Sequence, residues 1–505
     1  MTRFADIVST SEQVGLTRSR SAKVTLLAGL LKRLELSEIR IAVGFLSGVP
    51  RQGRVGVGYS TIYALDPARA SAASLSVGDV DQAIDEIRMA TGAGSDTARR
   101  RILTELLRRA TGPEGEFLRR LLPGELRQGA LVGVMTDAVG KAAAVPPQVV
   151  RRALMLSGDL GATAELALTG GKSALLKVGL EIFRPILPML AATSTDVTDA
   201  VRSFDQSLVE WKLDGIRIQI HRRGDEVRIY TRNLNDVTDA LPGIVEAVRA
   251  LPVGQAVLDG EALWMGDGRP AAFQDTVSQI DSDAPPEGIV TFVFDLLHVD
   301  GEDLLDMPLV ERSARLQTIA PGLRIPSFKT SDPDEGQQVL DEALRAGHEG
   351  VVVKDTASTY AAGRRGGAWR KVKPVRTYDL VVLGAEWGHG RRRGWLSNLH
   401  LGARDPSSGE FVMVGKTFKG LTDELLKWQT KALLDREIAR RGITVFVRPE
   451  LVVEIALDGV QSSTRYSGGV ALRFARVKRY RPDKDKGEAD TIDDLRALLP
   501  AGLTS

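Results

Sequence analysis

The chain runs to 505 residues, 43% of them hydrophobic and 26% charged, the make-up of a water-soluble protein that buries real cores in several, about three, domains. With 67 basic against 65 acidic residues the formal net charge is only +2, which excludes a uniformly basic coat; any surface for a polyanion has to be a local patch. Cysteine is absent, so disulfides and thiolate zinc sites are excluded, no apolar run approaches the ~18–20 residues of a membrane span, and Met1-Thr2-Arg3-Phe4-Ala5-Asp6 lacks the regions of a secretory signal, so a cytosolic location and no membrane partner are expected.

Residues 1–178 read as helices, among them Val24 through Leu34, Arg100 through Ala110 and Leu131 through Ala143, several opened by Ser or Thr and closed by Gly or Pro. Arginines gather here at Arg99-Arg100-Arg101, Arg108-Arg109, Arg119-Arg120, Arg127 and Arg151-Arg152. Such runs are either solvated helix faces or a phosphate-gripping surface. Leu168-Thr169-Gly170-Gly171-Lys172-Ser173 looks like a phosphate loop, but Leu166 stands where the first glycine is needed, and it is read as a linker turn.

From 184 to 374 short alternating strands are separated by amphipathic helices such as Glu335 through Ala346, which predicts an α+β region. Ser207 through Trp211 and Ile216, Ile218 and Ile220 read as the two strands of a hairpin around Lys212-Leu213-Asp214-Gly215-Ile216-Arg217, and Arg223-Gly224-Asp225 turns the chain into Val227 through Arg232. A lysine at a strand end, beside a glycine that admits a ligand to the backbone, suits a nucleophilic amine facing a phosphate; the same spacing also fits a solvated turn. Glu261 and Glu349 end apolar strand segments. Beyond Pro374 the pattern turns to β: Tyr378 through Gly384, Leu399 through Ala403, Phe411 through Gly415 and Glu450 through Ile455, interrupted by one long helix from Thr422 through Arg440. Residues 375–505 are thus expected to form a small five-stranded barrel of the OB type.

Further segments follow the lysine in a fixed order: Thr231-Arg232-Asn233-Leu234-Asn235-Asp236, Leu258-Asp259-Gly260-Glu261-Ala262, Phe292-Val293-Phe294-Asp295-Leu296-Leu297, Glu349-Gly350-Val351-Val352-Val353-Lys354, Trp369-Arg370-Lys371-Val372-Lys373, and Arg473-Phe474-Ala475-Arg476 running on to Arg481-Pro482-Asp483-Lys484. Over residues 184–484 this series resembles the nucleotidyltransferase motifs of ATP-dependent DNA ligases, departing at Ala475, where many relatives carry proline. Phe117 through Gly129 resembles, more loosely, the helical DNA-binding domain of larger ligases, with Gln128 where an aliphatic residue is usual. The NAD-dependent bacterial ligases carry a four-cysteine zinc module that this chain cannot build, which favours ATP.

The resemblance implies three domains, a helical DNA-binding domain over 1–178, a nucleotidyltransferase domain over 184–374 and an OB-fold domain over 375–505. It also implies three steps: Lys212 takes AMP from ATP, the AMP passes to the 5′-phosphate of a nick in duplex DNA, and the 3′-hydroxyl displaces it. An amine nucleophile must first lose its proton, and neighbouring cations and partial burial promote that loss. Lys354, Lys371 and Lys373 are expected on the α-phosphate oxygens. Glu261 is expected on ribose or metal and Glu349 on metal, Mg2+ being the ion that carboxylate and phosphate oxygens suit. Asp214 is expected to orient the lysine or to shape the turn. Phe294 is expected to stack on adenine and Glu210 to meet the base edge. Arg217 and Arg232 are expected on phosphate or ribose, and Arg365 matches a nucleotide-contacting position. Arg473, Arg476, Asp483 and Lys484 are expected to reach pyrophosphate in the first step only, with the barrel closing and then swinging away. The basic loop Gly388 through Gly394 is either a flexible loop or a contact to the duplex. A monomer is expected; the sequence does not say whether it has protein partners. An RNA ligase or capping-type enzyme shares the lysine motif, and a nick-binding scaffold would have lost the lysine or a metal carboxylate, which this chain has not.

Overall fold

A computed structural model describes residues 1–53, 55–126, 132–266, 269–270, 288–361, 365–374 and 376–499. The chain separates into two compact units, Met1–Val372 and Lys373–Ser505.

The elements of the first unit up to Leu176 are helices. Their ends are set by local chemistry: Ser76 with Asp79 and Thr111 with Glu114 form capping boxes, and Asp159 accepts from the Ala162 amide. Phe4 holds their core together by edge-to-face contacts with Phe45 and Phe117, at 5.9 and 5.6 Å. Leu168 through Ser173, expected as a linker turn, is helical on either side of a break at Gly171 (φ 59, ψ −154), a conformation open to glycine alone, that divides Leu160–Leu176 into two helical segments.

The arginine clusters divide. Arg99 donates to the carbonyls of Ile87 and Gly56, Arg109 pairs with Asp79, Arg119 donates to the Leu65 carbonyl, and Arg151 pairs with Asp137. These tie helices and loops to one another. Arg100, Arg101 and Arg108 face solvent, and Arg127 lies outside the described residues.

Between Leu190 and Val372 two sheets form. The first has the order β1 (Leu190–Thr193), β11 (Arg365–Val372), β10 (Gly350–Asp355), β2 (Ser207–Lys212), β9 (Ser327–Thr330). The second has the order β4 (Glu226–Thr231), β3 (Ile216–Arg223), β5 (Gln255–Gly266), β7 (Ile289–Val299), β8 (Glu302–Asp303), with the short β6 (Arg269–Pro270) on β5. The strands flanking Lys212 are therefore not a hairpin: β2 belongs to one sheet and β3 to the other, and Leu213-Asp214-Gly215 crosses between them. Packing forces that path, because a Cβ on Gly215 would lie 2.3 Å from the Ala262 carbonyl oxygen. β3 and β4 do form a hairpin around Gly224.

One face of the first sheet, with Val209, Val351, Val353 and Val372, packs on Val339, Leu340 and Ala343 of the helix Pro333–Arg345. In the second sheet Ile218, Ile220, Leu258, Val293 and Leu296 pack on Ile244, Val245 and Val248 of the helix Pro242–Arg249. A chain segment clipped to β3 leads from the helices into these sheets. Phe183 holds a positive φ of 75°, its amide donates to His221 Nδ1 (3.0 Å), and its carbonyl accepts from the Tyr230 hydroxyl (2.9 Å).

The second unit has more strands than a five-stranded barrel. A seven-stranded sheet follows the order β14 (Phe411–Thr417), β13 (Leu396–Arg404), β12 (Arg376–Trp387), β16 (Thr444–Val447), β15 (Glu437–Arg441); β17 (Val452–Leu457) pairs with β12 and β20 (Arg476–Tyr480) with β17. β18 (Gly459–Ser462) and β19 (Val470–Arg473) form a separate pair. The long helix expected through Arg440 stops at Leu434. Residues 437–441 instead turn at Gly442 (φ 57°) and pair with β16, which takes up the backbone groups that a continued helix would have used.

Candidate active site

Strand register places the site before any side chain is considered. Residues directly opposite one another in antiparallel strands present their side chains on one face. Lys371 lies opposite Val352, Val352 opposite Glu210, and Glu210 opposite Ser327. In the adjoining row Trp369 lies opposite Lys354, and Lys354 opposite Leu208. Lys212, two residues beyond Glu210, closes the same face. Facing it from the second sheet are Phe294, Arg217, Asp259 and Glu261.

Lys212 ends β2. Its ammonium pairs with Glu349 and donates to the Leu213 carbonyl at 3.3 Å, while the Glu349 amide donates to the Lys212 carbonyl at 3.1 Å. Glu261 stands in the middle of β5 and not at a strand end. Burial is the main cause that pushes its carboxyl up to about 7; Lys212 and Arg217 oppose the shift, and Asp259 and Glu349 add to it. Gly260, its neighbour, would bring a Cβ to 2.6 Å from the Phe292 carbonyl oxygen, so the strands close tightly beside the carboxylate.

The other end of the pocket is built on a buried ion pair. Lys354 Nζ lies 2.6 Å from Glu210, both side chains being almost fully enclosed, and donates to the Phe294 carbonyl at 3.2 Å. The amine stands 4.6 Å from the Phe294 ring centroid and 4.1 Å from that of Trp369. The partners of Lys354, expected among the phosphate-binding lysines, are here an acid, a carbonyl and two rings. Burial pushes the Glu210 carboxyl up, and Lys354 opposes that shift.

Arg217 is likewise engaged by protein. It holds Asp259 through two bonds, 2.9 and 2.6 Å, and the Met189 carbonyl at 2.6 Å, and its guanidinium lies 5.3 Å from the Phe294 ring centroid. The fully buried Tyr360 donates to Asp259 at 2.7 Å. Asp295 forms a second two-bond pair, with Arg312 at 2.8 and 3.0 Å, both side chains fully enclosed. Motif spacing marked Asp259, Asp295 and Trp369 without giving them roles; nothing in the sequence marked Tyr360, Arg312 or Ser327.

Lys371 lies on β11 in the row just described, and Arg365 opens β11 with a side chain outside the described residues. Arg232 is exposed in the turn after β4. The remaining expected residues belong to the second unit. Lys373 opens it, Arg473 ends β19 and Arg476 opens β20, exposed and 4.0 Å from Asp458. Lys484 reaches Asp379 at 2.6 Å, as Arg481 does at 2.9 Å, while Asp483 is held by Arg481. Ala475 is buried, and its carbonyl accepts from Thr417.

Comparison with known proteins gives the family. Residues 188–373 match the ATP dependent DNA ligase domain, 392–484 the ATP dependent DNA ligase C terminal region, and 59–140 the DNA ligase N terminus. A "Probable DNA ligase" of Saccharopolyspora erythraea is 56% identical over 500 residues, covering 99% of this chain and 98% of that protein. A "Probable DNA ligase" of Rhodococcus jostii is 53% identical, covering 98% and 99%. The solved structure named "Pmar-Lig_PreS3" is similar in fold at a TM-score of 0.64 and 20% identity, covering 94% of this chain and 99% of that one. The chain belongs to the ATP-dependent DNA ligase family, with its N-terminal, adenylation and C-terminal domains. Among the described residues no helix is long and apolar enough to cross a membrane.

Proposed function

We propose that this enzyme seals 5′-phosphate/3′-hydroxyl nicks in duplex DNA with Lys212 as the residue that carries AMP, and that it does so in the cytoplasm as a monomer. The observation that carries the reading is the single face on which Lys212, Lys371, Val352, Glu210 and Lys354 stand in register, under Phe294. Val352 and Phe294 offer apolar surfaces for the two sides of a purine. Glu210 and Lys354 offer an acceptor and a donor to its edge, and Lys371 offers charge to the phosphate. Glu349, paired with Lys212, holds the amine on this face beside the place of the transferring phosphate. Arg217, fixed by Asp259 and the Met189 carbonyl, lies against the ring of Phe294 and so supports the base, beside its expected place on phosphate or ribose.

Glu261 and Glu349 are the residues that would hold a divalent metal. They fit: Glu349 pairs with the Lys212 ammonium and Glu261 stands opposite Arg217 on β5 within the field of that same ammonium, so two carboxylates border the nucleophile, a donor set that suits a hard cation. Among the described residues no group of three or more His, Asp or Glu could hold an ion, so phosphate and water oxygens would supply the other ligands. The ion would neutralise charge on the transferring phosphate.

The helices before Leu176 are proposed as an all-α DNA-binding domain, with the exposed Arg100 and Arg101 among the cations that meet phosphate, and the second unit as an OB-type domain acting in the first step. On this reading Arg476→Ala and Lys484→Ala should each lose lysine adenylation yet seal a nick whose 5′-end already carries AMP at close to the wild-type rate, because a residue serving one step costs transition-state energy only there. Equal failure on the pre-adenylated nick would assign them to DNA binding or to structure. The function as a whole is tested by incubating the enzyme with a 5′-phosphorylated nicked duplex and ATP. Sealing is expected. Label retained from GTP instead of ATP, as a capping enzyme would show, contradicts it.

A further inference from the structure

We propose that the Ser327 hydroxyl is a second acceptor for the exocyclic amine of the bound adenine, beside Glu210. The proposal rests on the reading of ATP as substrate given above. Ser327 lies directly opposite Glu210 on the neighbouring strand, so the two side chains stand on one face with their Cβ atoms about 5 Å apart. That face looks into the pocket: Ile325, two residues before Ser327, packs against Leu213 and Phe294.

The row Lys371, Val352, Glu210, Ser327 crosses four adjacent strands. Three strand spacings amount to about 14 Å, enough for a nucleoside monophosphate laid across them. Its order is a cation, an apolar side chain, an acid and a hydroxyl, which follows the order of phosphate, base and polar base edge. Within this row the Ser327 hydroxyl is buried and bonds to no other described atom. A buried hydroxyl left unpaired is unfavourable and uncommon, and it points to a partner supplied by a ligand. An exocyclic amine has two N–H donors. Glu210 already shares its carboxylate with Lys354, so it takes one of the two, and Ser327 is the next oxygen along the row for the other.

The test measures protein–AMP formation by the full chain as a function of nucleotide concentration. With ATP, Ser327→Ala should raise KM about fivefold, the scale of one neutral hydrogen bond, with kcat within about twofold of wild type. Ser327→Thr keeps the hydroxyl on a strand that accepts a β-branched residue and should restore KM. With purine riboside 5′-triphosphate, which lacks the amine, wild type and Ser327→Ala should have the same KM. An unchanged KM for ATP in Ser327→Ala, or the same fivefold loss with purine riboside triphosphate, overturns the proposal. Failure of the ATP reading itself looks different, since wild type would then take up no label from ATP, and the Ser327 proposal would fall with it.

Discussion

Lys212→Ala should form no covalent AMP adduct with labelled ATP, a loss to the limit of detection. Lys354, on the same face, is enclosed and bonded to Glu210 and the Phe294 carbonyl, and Lys371 stands on β11, a separate strand from the one Lys212 ends. Lys212→Arg should be equally inactive: guanidinium keeps the charge and cannot be deprotonated in proteins. Both variants should fold, because Lys212 is partly exposed at a strand end and its partner Glu349 is itself near solvent. Gel separation of labelled protein after incubation with α-labelled ATP checks this, and adduct at wild-type yield in either variant would remove Lys212 from the role.

The second large effect is on stability. Asp295 and Arg312 form a fully enclosed two-bond pair, and Arg312 also satisfies the carbonyls of Met307 and Ser358 at 2.5 and 3.1 Å. Removing one partner leaves a buried charge uncompensated, a loss of about 3–5 kcal/mol. Asp295→Ala and Arg312→Met should each lower the unfolding free energy of the first unit, read from urea titration, by that amount. The double variant Asp295→Leu/Arg312→Met, with no charge left to strand, should recover most of it. Single variants within about 0.5 kcal/mol of wild type would mean that water reaches the pair.

How far the fold could be read from the chain depended on whether the signal was local. In sequence β3 alternates Ile216, Ile218 and Ile220 with polar residues, β4 alternates between exposed and buried positions over Glu226–Ile229, and the two turn at Gly224, so both were legible. β2 was found as a strand but assigned the wrong neighbour, since covered on both faces it has no alternation to show which way it pairs, and a three-residue connection looks like a hairpin. The helix after Thr422 was drawn too long, because Glu437–Arg441 carries no helix breaker and only the pairing with β16 makes it a strand. In the candidate site the motif order named Lys212, Glu349 and Glu261, which the fold brings together. Which lysine meets which acid was not legible: the partner of Lys354 is Glu210 on a strand far off in the chain, and Tyr360 meets Asp259 across 101 residues with no motif around it. Tertiary pairing decides these roles, and spacing cannot carry it.

The covalent account is tested most directly by a chase. Wild-type enzyme is labelled with α-labelled ATP, freed of nucleotide and mixed with a 5′-phosphorylated nicked duplex in the presence of divalent metal and no ATP. Label should leave the protein, pass through the DNA 5′-end and appear as free AMP, with one nick sealed for each adduct consumed. Label that stays on the protein while nicks are sealed would contradict it.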